Sequence, residues 1–148
     1  MDNKLVLKVE DELLLRCARS KLEQEDEDRI SSFLDNNLDW DYLLDKAARN
    51  RLRPLLYLNL NRVGAEKVPR DVLQGLKEFF KSNGRRNLLL TSELVKVMDL
   101  LENEGVQAVT YKGPVLAQGA YGNLAYREFG DIDVFIDKKG HCQKLGGF

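Results

Sequence analysis

Apolar residues recur at three- and four-residue intervals through the first hundred positions, and that spacing predicts helices. Leu14, Cys17, Ala18 and Leu22 share one helical face, as do Ile30, Phe33 and Leu34. Asp39 is placed to cap a helix that buries Trp40, Leu43, Leu44 and Ala47. Pro54 suits the first turn of the next helix, which carries Leu55, Leu56, Leu58 and Leu60 and stops at Gly64. Pro69 opens a segment striped with Val72, Leu73, Leu76, Phe79 and Phe80. Asn83-Gly84 is a turn signal, so a kink or break is expected there. A second stripe, Leu90, Leu94, Val97, Met98 and Leu101, then runs to a stop at Gly105.

The pattern changes after Gly105. Val106 to Tyr111 is a short β-branched and aromatic run, which predicts a buried strand. Lys112-Gly113-Pro114 is a turn, followed by a short helix through Val115, Leu116 and Ala120. Asp131 to Asp137 alternates strictly, so a strand is expected with Ile132, Val134 and Ile136 on one face. Asp131, Asp133, Phe135 and Asp137 take the other. Lys138-Lys139-Gly140 and Gly146-Gly147-Phe148 then return to loop chemistry. No internal repeat is evident, which argues against a solenoid.

The 148 residues are 43% hydrophobic and 32% charged, a balance that supports a packed core rather than disorder. The formal net charge of -1 gives no support to a protein that coats nucleic acid. Charge is segregated, however: residues 1–50 carry a net -5, residues 51–100 a net +5 and the remainder -1. The acidic run Glu23, Glu25, Asp26, Glu27 and Asp28 reads as a solvated helix start, favoured by the helix dipole. Arg49, Arg51, Arg53, Arg85 and Arg86 read mainly as solvated helix faces, with attraction of a phosphate-bearing substrate as the less favoured alternative.

No apolar run approaches the roughly 18 residues that span a bilayer, and no signal peptide is evident, so a cytoplasmic location is expected. Two distant cysteines, Cys17 and Cys142, make a disulfide framework improbable. Cys17 is expected to pack on its helix and Cys142 to be an incidental thiol. His141 is the single histidine, which leaves His- and Cys-based metal or nucleophile chemistry poorly supplied.

Aspartate is depleted in strands, so Asp131-x-Asp133 needs a reason. Side chains at i and i+2 share a face roughly 6.5 Å apart. Two carboxylates so placed repel unless a cation intervenes. Mg²⁺ takes carboxylate oxygens, waters and substrate phosphates, so the pair suits a Mg²⁺–nucleotide platform. On spacing alone, a strand with a wet outer face is the competing reading. The context adds a glycine turn at Gly113, where backbone can approach a ligand, and a helix start whose free N–H groups favour an anion. Lys112 adds a point charge there.

Tyr111-Lys112-Gly113, Tyr121-Gly122, Arg127 and the run from Gly130 to Ile136 resemble the signature of the uncharacterised nucleotidyltransferase family, within the polymerase-β-like nucleotidyltransferase superfamily. The resemblance extends upstream through the segments beginning at Asp39 and Arg51, and covers roughly residues 10–137. It implies an α+β fold: an all-helical N-terminal region over 1–68, then a partial nucleotidyltransferase core over 69–148, whose mixed sheet has flanking helices. It further implies transfer of a nucleoside monophosphate from a triphosphate to an acceptor hydroxyl by two-metal chemistry. Asp131 and Asp133 become the catalytic metal ligands for Mg²⁺, and Lys112 and Gly113 the nucleotide-binding turn. Arg127 either pairs with phosphate or locks the loop before the aspartates, and Tyr121 is expected to pack.

Two departures temper the activity. Pro114, where the superfamily usually has serine, supplies neither hydroxyl nor N–H. The superfamily also places a third carboxylate on a later strand, whereas the 11 residues after Asp137 include no acidic one. Asp137 is about 13 Å from Asp133 along an extended strand and does not substitute. A shortened core is therefore expected, active or inactive according to whether two carboxylates suffice, with self-association through an open sheet edge. The competing reading is a non-catalytic helical interaction module. The acceptor stays open among protein, RNA, sugar and small molecule.

Overall fold

A computed structural model describes residues 7–137. Lys138-Lys139-Gly140, His141, Cys142 and Gly146-Gly147-Phe148 lie outside the described residues. Among the described residues, six helices, two short 3-10 turns and two strands follow in the order α1 (Val9–Cys17), α2 (Gln24–Leu34), α3 (Trp40–Arg49), α4 (Arg53–Gly64), a turn at Ala65–Lys67, α5 (Arg70–Asn103), β1 (Ala108–Thr110), α6 (Pro114–Tyr121), a turn at Leu124–Tyr126, and β2 (Val134–Ile136). The chain is therefore α+β and mostly helical, with helices first and a small sheet after them. No described helix is long and apolar enough to cross a membrane.

The helical ends follow local chemistry. The Asp39 carboxylate accepts the Tyr42 N–H at 3.0 Å and caps α3. Pro54 occupies the first turn of α4, where its missing N–H costs nothing. Pro69 precedes α5, and Gly105, at a φ of 69°, turns the chain away after it. The main apolar core gathers Leu13, Cys17, Ile30, Leu43, Ala47, Leu56 and Leu60 from the first four helices with Leu76 of α5.

Two expectations change in the helical part. The acidic run does start α2, but Asp26 is buried rather than solvated. Its carboxylate receives Arg16 and Arg19, each at 2.8 Å, and completes a capping box with Glu23. Paired charge and hydrogen bonds offset the desolvation. Asn83-Gly84 likewise does not break the helix: α5 runs unbroken for 34 residues, about 51 Å at 1.5 Å per residue. A turn dipeptide inside a strongly periodic segment is overridden when packing uses it. An added Cβ on Gly84 would meet the Ala125 Cβ at 3.4 Å, and Asn83 points inward.

The strands pair antiparallel, with Ala108 opposite Ile136, Val109 opposite Phe135 and Thr110 opposite Val134. A bond from the Asp137 N–H to the Gln107 carbonyl at 3.0 Å extends the pairing at one end. Both strands are shorter than the alternation predicts. The pairing stops after Thr110 because Gly113 turns the first chain into α6. Asp131 and Asp133 therefore precede the ladder rather than lying within it. Ile132 and Val134 are half-buried as expected, whereas Ile136 is exposed.

Candidate functional site

Three elements converge on the sequence around Asp131. The first is the turn after β1. Gly113 has a φ of 57° and a ψ of -122°, a conformation an L side chain rarely adopts. A Cβ there would lie 3.4 Å from the Asp131 carbonyl oxygen and 3.7 Å from the Phe129 ring. The glycine thus lets the turn rest directly on the backbone that carries the aspartates. Pro114 then starts α6 and is buried. The first intrahelical bond runs from the Ala117 N–H to the Gly113 carbonyl at 3.0 Å. Helix geometry leaves the Val115 and Leu116 N–H groups as donors to an outside acceptor.

The second element is the loop from Leu124 to Gly130, fastened to α5. Asn83 donates to the carbonyls of Ala125 (3.1 Å) and Arg127 (3.2 Å). Asn87, one turn on, donates to those of Leu124 and Arg127, both at 2.7 Å. Arg86 donates to the Phe129 carbonyl, and Gly130 leaves it room: a Cβ there would lie 2.9 Å from the Arg86 Nη2. Arg53 makes a two-pronged ion pair with buried Glu128, at 3.1 and 2.7 Å, and stacks on Phe79. Arg53 and Arg86 are accordingly structural ties, not solvated faces. Phe129 is buried under the loop.

The third element is the charged pair itself. Lys112 Nζ lies 3.5 Å from Asp133 Oδ2, with side chains 49% and 40% exposed. The Tyr111 hydroxyl, and beyond it the Asp133 carboxylate, hold the Lys112 ammonium above the ordinary lysine range. It is therefore charged at neutral pH. Asp131 is exposed. Arg127 is half-buried, and its Nη1 is a buried donor with no hydrogen-bond partner among the described residues.

The structure thus brings Lys112 and Asp133 together and lays Gly113 on Asp131. Arg127 contributes its backbone carbonyl to the loop's fastening. Among the described residues no group of three or more His, Cys, Asp or Glu side chains converges. The donor set suits a hard cation that arrives with a substrate. It offers two carboxylates at alternate positions, one exposed and one held loosely by an ammonium that occupies the place of a counter-ion. Cys17 is not a candidate nucleophile: burial pushes its thiol up to about 12.

Sequence reasoning missed the fastening of the loop. Its one visible signal was two asparagines, Asn83 and Asn87, at helical spacing inside the stripe that buries Leu76 and Leu94. Such buried amides require partners.

No curated protein and no solved structure matches the chain. The sequence model of the uncharacterised nucleotidyltransferase family matches residues 36–143, a span that runs from before α3 through β2 and includes the whole constellation from Lys112 to Ile136. The chain therefore belongs to the uncharacterised nucleotidyltransferase family.

Proposed function

We propose that the chain binds a magnesium–nucleoside triphosphate between the Lys112–Gly113 turn and the Asp131–Asp133 segment, and passes the nucleoside monophosphate to an acceptor hydroxyl. The observation that carries this reading is the 3.5 Å approach of Lys112 to Asp133, which couples the anion-seeking turn to the cation-seeking carboxylates. An exposed ion pair of this kind contributes little in water, so a bound ligand separates it at small cost. Lys112 is then free for phosphate oxygens and the carboxylate for a cation. The Val115 and Leu116 N–H groups offer further donors at the positive end of α6. The unpaired Arg127 Nη1 is a donor that a phosphate oxygen would satisfy.

In the reaction the acceptor hydroxyl gives its proton to solvent, its oxygen bonds to the α-phosphorus, the bond from that phosphorus to the α–β bridging oxygen breaks, and pyrophosphate leaves with the electron pair. Asp131 and Asp133 would hold Mg²⁺, which supplies charge neutralisation at the triphosphate and lowers the pKa of a bound hydroxyl. Lys112 and the helix donors hold the phosphates against in-line misalignment, the positioning part of catalysis.

Calorimetry tests the binding. Titration of a nucleoside triphosphate in Mg²⁺ should release heat, and the chain carrying Asp131→Asn and Asp133→Asn should not. An absence of binding by the parent chain with metal present would remove the reading. A second reading, a helical interaction module without catalysis, is supported by one observation: among the described residues no third acidic, His or Cys side chain gathers with Asp131 and Asp133. It predicts that the double variant and the parent are equally indifferent to nucleotide.

A further inference from the structure

The register of the sheet puts two aromatic rings beside the charged pair. Val109 stands opposite Phe135, and residues directly opposite share a face of the sheet. Tyr111 and Asp133 lie just beyond the end of the ladder, next to Thr110 and Val134. Tyr111 and Phe135 are diagonal neighbours whose ring centroids lie 5.0 Å apart with planes inclined at 35°. Neither ring is covered: Tyr111 is 46% and Phe135 60% exposed, with Val109 beside them at 64%. Lys112 Nζ lies 5.0 Å from the Tyr111 ring centre and 3.5 Å from Asp133 Oδ2.

We infer that the Tyr111–Phe135 pair is the stacking surface for the nucleobase of the bound nucleoside triphosphate. This rests on the functional reading above and extends it to the recognition of the base. A flat apolar group joined to a polyanion is the ligand whose two halves match this arrangement. Aromatic faces suit a planar ring, and the Lys112 ammonium one residue from Tyr111 and the Asp133 carboxylate two residues from Phe135 suit phosphate and its cation. Stacking accepts any base, because every base has a π-face, so discrimination among the four nucleotides is expected to be weak.

The experiment compares two probes on the full chain: a nucleoside triphosphate and inorganic tripolyphosphate, each with Mg²⁺, by calorimetry. The variants are Tyr111→Ala, Phe135→Ala and the conservative Tyr111→Phe. Both side chains are exposed, so truncation leaves the core intact, and far-UV circular dichroism checks the fold. The expected result is a loss of at least about tenfold in nucleoside triphosphate affinity in each alanine variant. Tripolyphosphate affinity should be unchanged, and Tyr111→Phe should retain binding.

Equal nucleotide affinity in parent and alanine variants overturns the stacking surface while leaving the phosphate site in place. Failure of the parent to bind either probe overturns the functional reading beneath it. If the alanine variants instead lose only a concentration-dependent rise in mass, the face is an interface between copies, and the inference is overturned in favour of that.

Discussion

Asp26 sits in the first turn of α2 with almost none of its surface exposed, yet it stays ionised. The Arg16 guanidinium, helped by Arg19 and by the Glu23 N–H, holds its carboxyl below the usual aspartate range against the opposing effect of burial. Asp11 is lowered in the same sense, first by Lys46 and also by Tyr42. A carboxylate with a lowered folded pKa binds fewer protons in the native state than in the unfolded chain. Stability therefore rises with pH between the two values. Both aspartates contribute fully above the ordinary aspartate value of about 3.9, and that contribution drains away as pH falls through the lower native value. Thermal melts from pH 7 to pH 2 should show a level Tm that drops below about pH 4. Asp26→Asn should lower Tm at pH 7 and flatten the acid limb, because it leaves two arginines facing a neutral amide. A variant whose acid limb has the parent's slope would show that Asp26 is not among the groups that set it.

At the scale of elements, α5 is both the spine of the fold and the bench on which the site loop is mounted. Asn87 gives both amide hydrogens to loop carbonyls, while its own Oδ1 is buried without a partner among the described residues. Asn87→Ala removes the two bonds but also relieves that unsatisfied oxygen. The Arg127 carbonyl keeps Asn83, so one carbonyl, that of Leu124, is left bare. The expected loss is about 1 kcal/mol, at the low end for a buried bond whose partner is stranded. Urea denaturation should show it with helicity unchanged, and a variant as stable as the parent would refute it.

The same helix explains what could be read in advance. Apolar spacing, Asp39, Pro54, Pro69 and Gly105 marked helices and boundaries because each acts within a turn or two of its own position. Asn83-Gly84 misled because its purpose is remote: the amide serves a loop about forty residues later, and nothing local records that. Lys112, Gly113 and the two aspartates were legible as candidates from type and spacing. Their convergence was not, since it depends on Gly113 resting on the Asp131 carbonyl and on the loop held by Arg53, Arg86 and the asparagines.

The whole molecule carries an imbalance between its halves. The first four helices share one buried core with Leu76 of α5, whereas the sheet region exposes Val109, Tyr111, Phe135 and Ile136 in and beside two strands only three residues long. Asp137 bonds to Gln107 across the ladder, and in an antiparallel pair bonded and non-bonded positions alternate. Phe135 opposite Val109 is thus the next bonded pair, and the N–H groups of Val134 and Ile136 point away from β1. That outer edge is a template for another strand, and self-association through it is the expected outcome. Ile136 is the exposed end of the edge, whereas the corresponding residues of β1, Ala108 and Thr110, are half-buried. We therefore assign the pairing to β2. Multi-angle light scattering over a concentration series should show mass rising from that of one chain. Ile136→Pro should suppress the rise while sparing the β1–β2 ladder, because the donor it deletes faces outward. A single-chain mass at every concentration would count against the edge. An undiminished rise in the proline variant would move the contact to the exposed leucines of α5, and because nucleotide stacking involves the sheet face rather than its edge, Ile136→Pro should leave nucleotide affinity as it is.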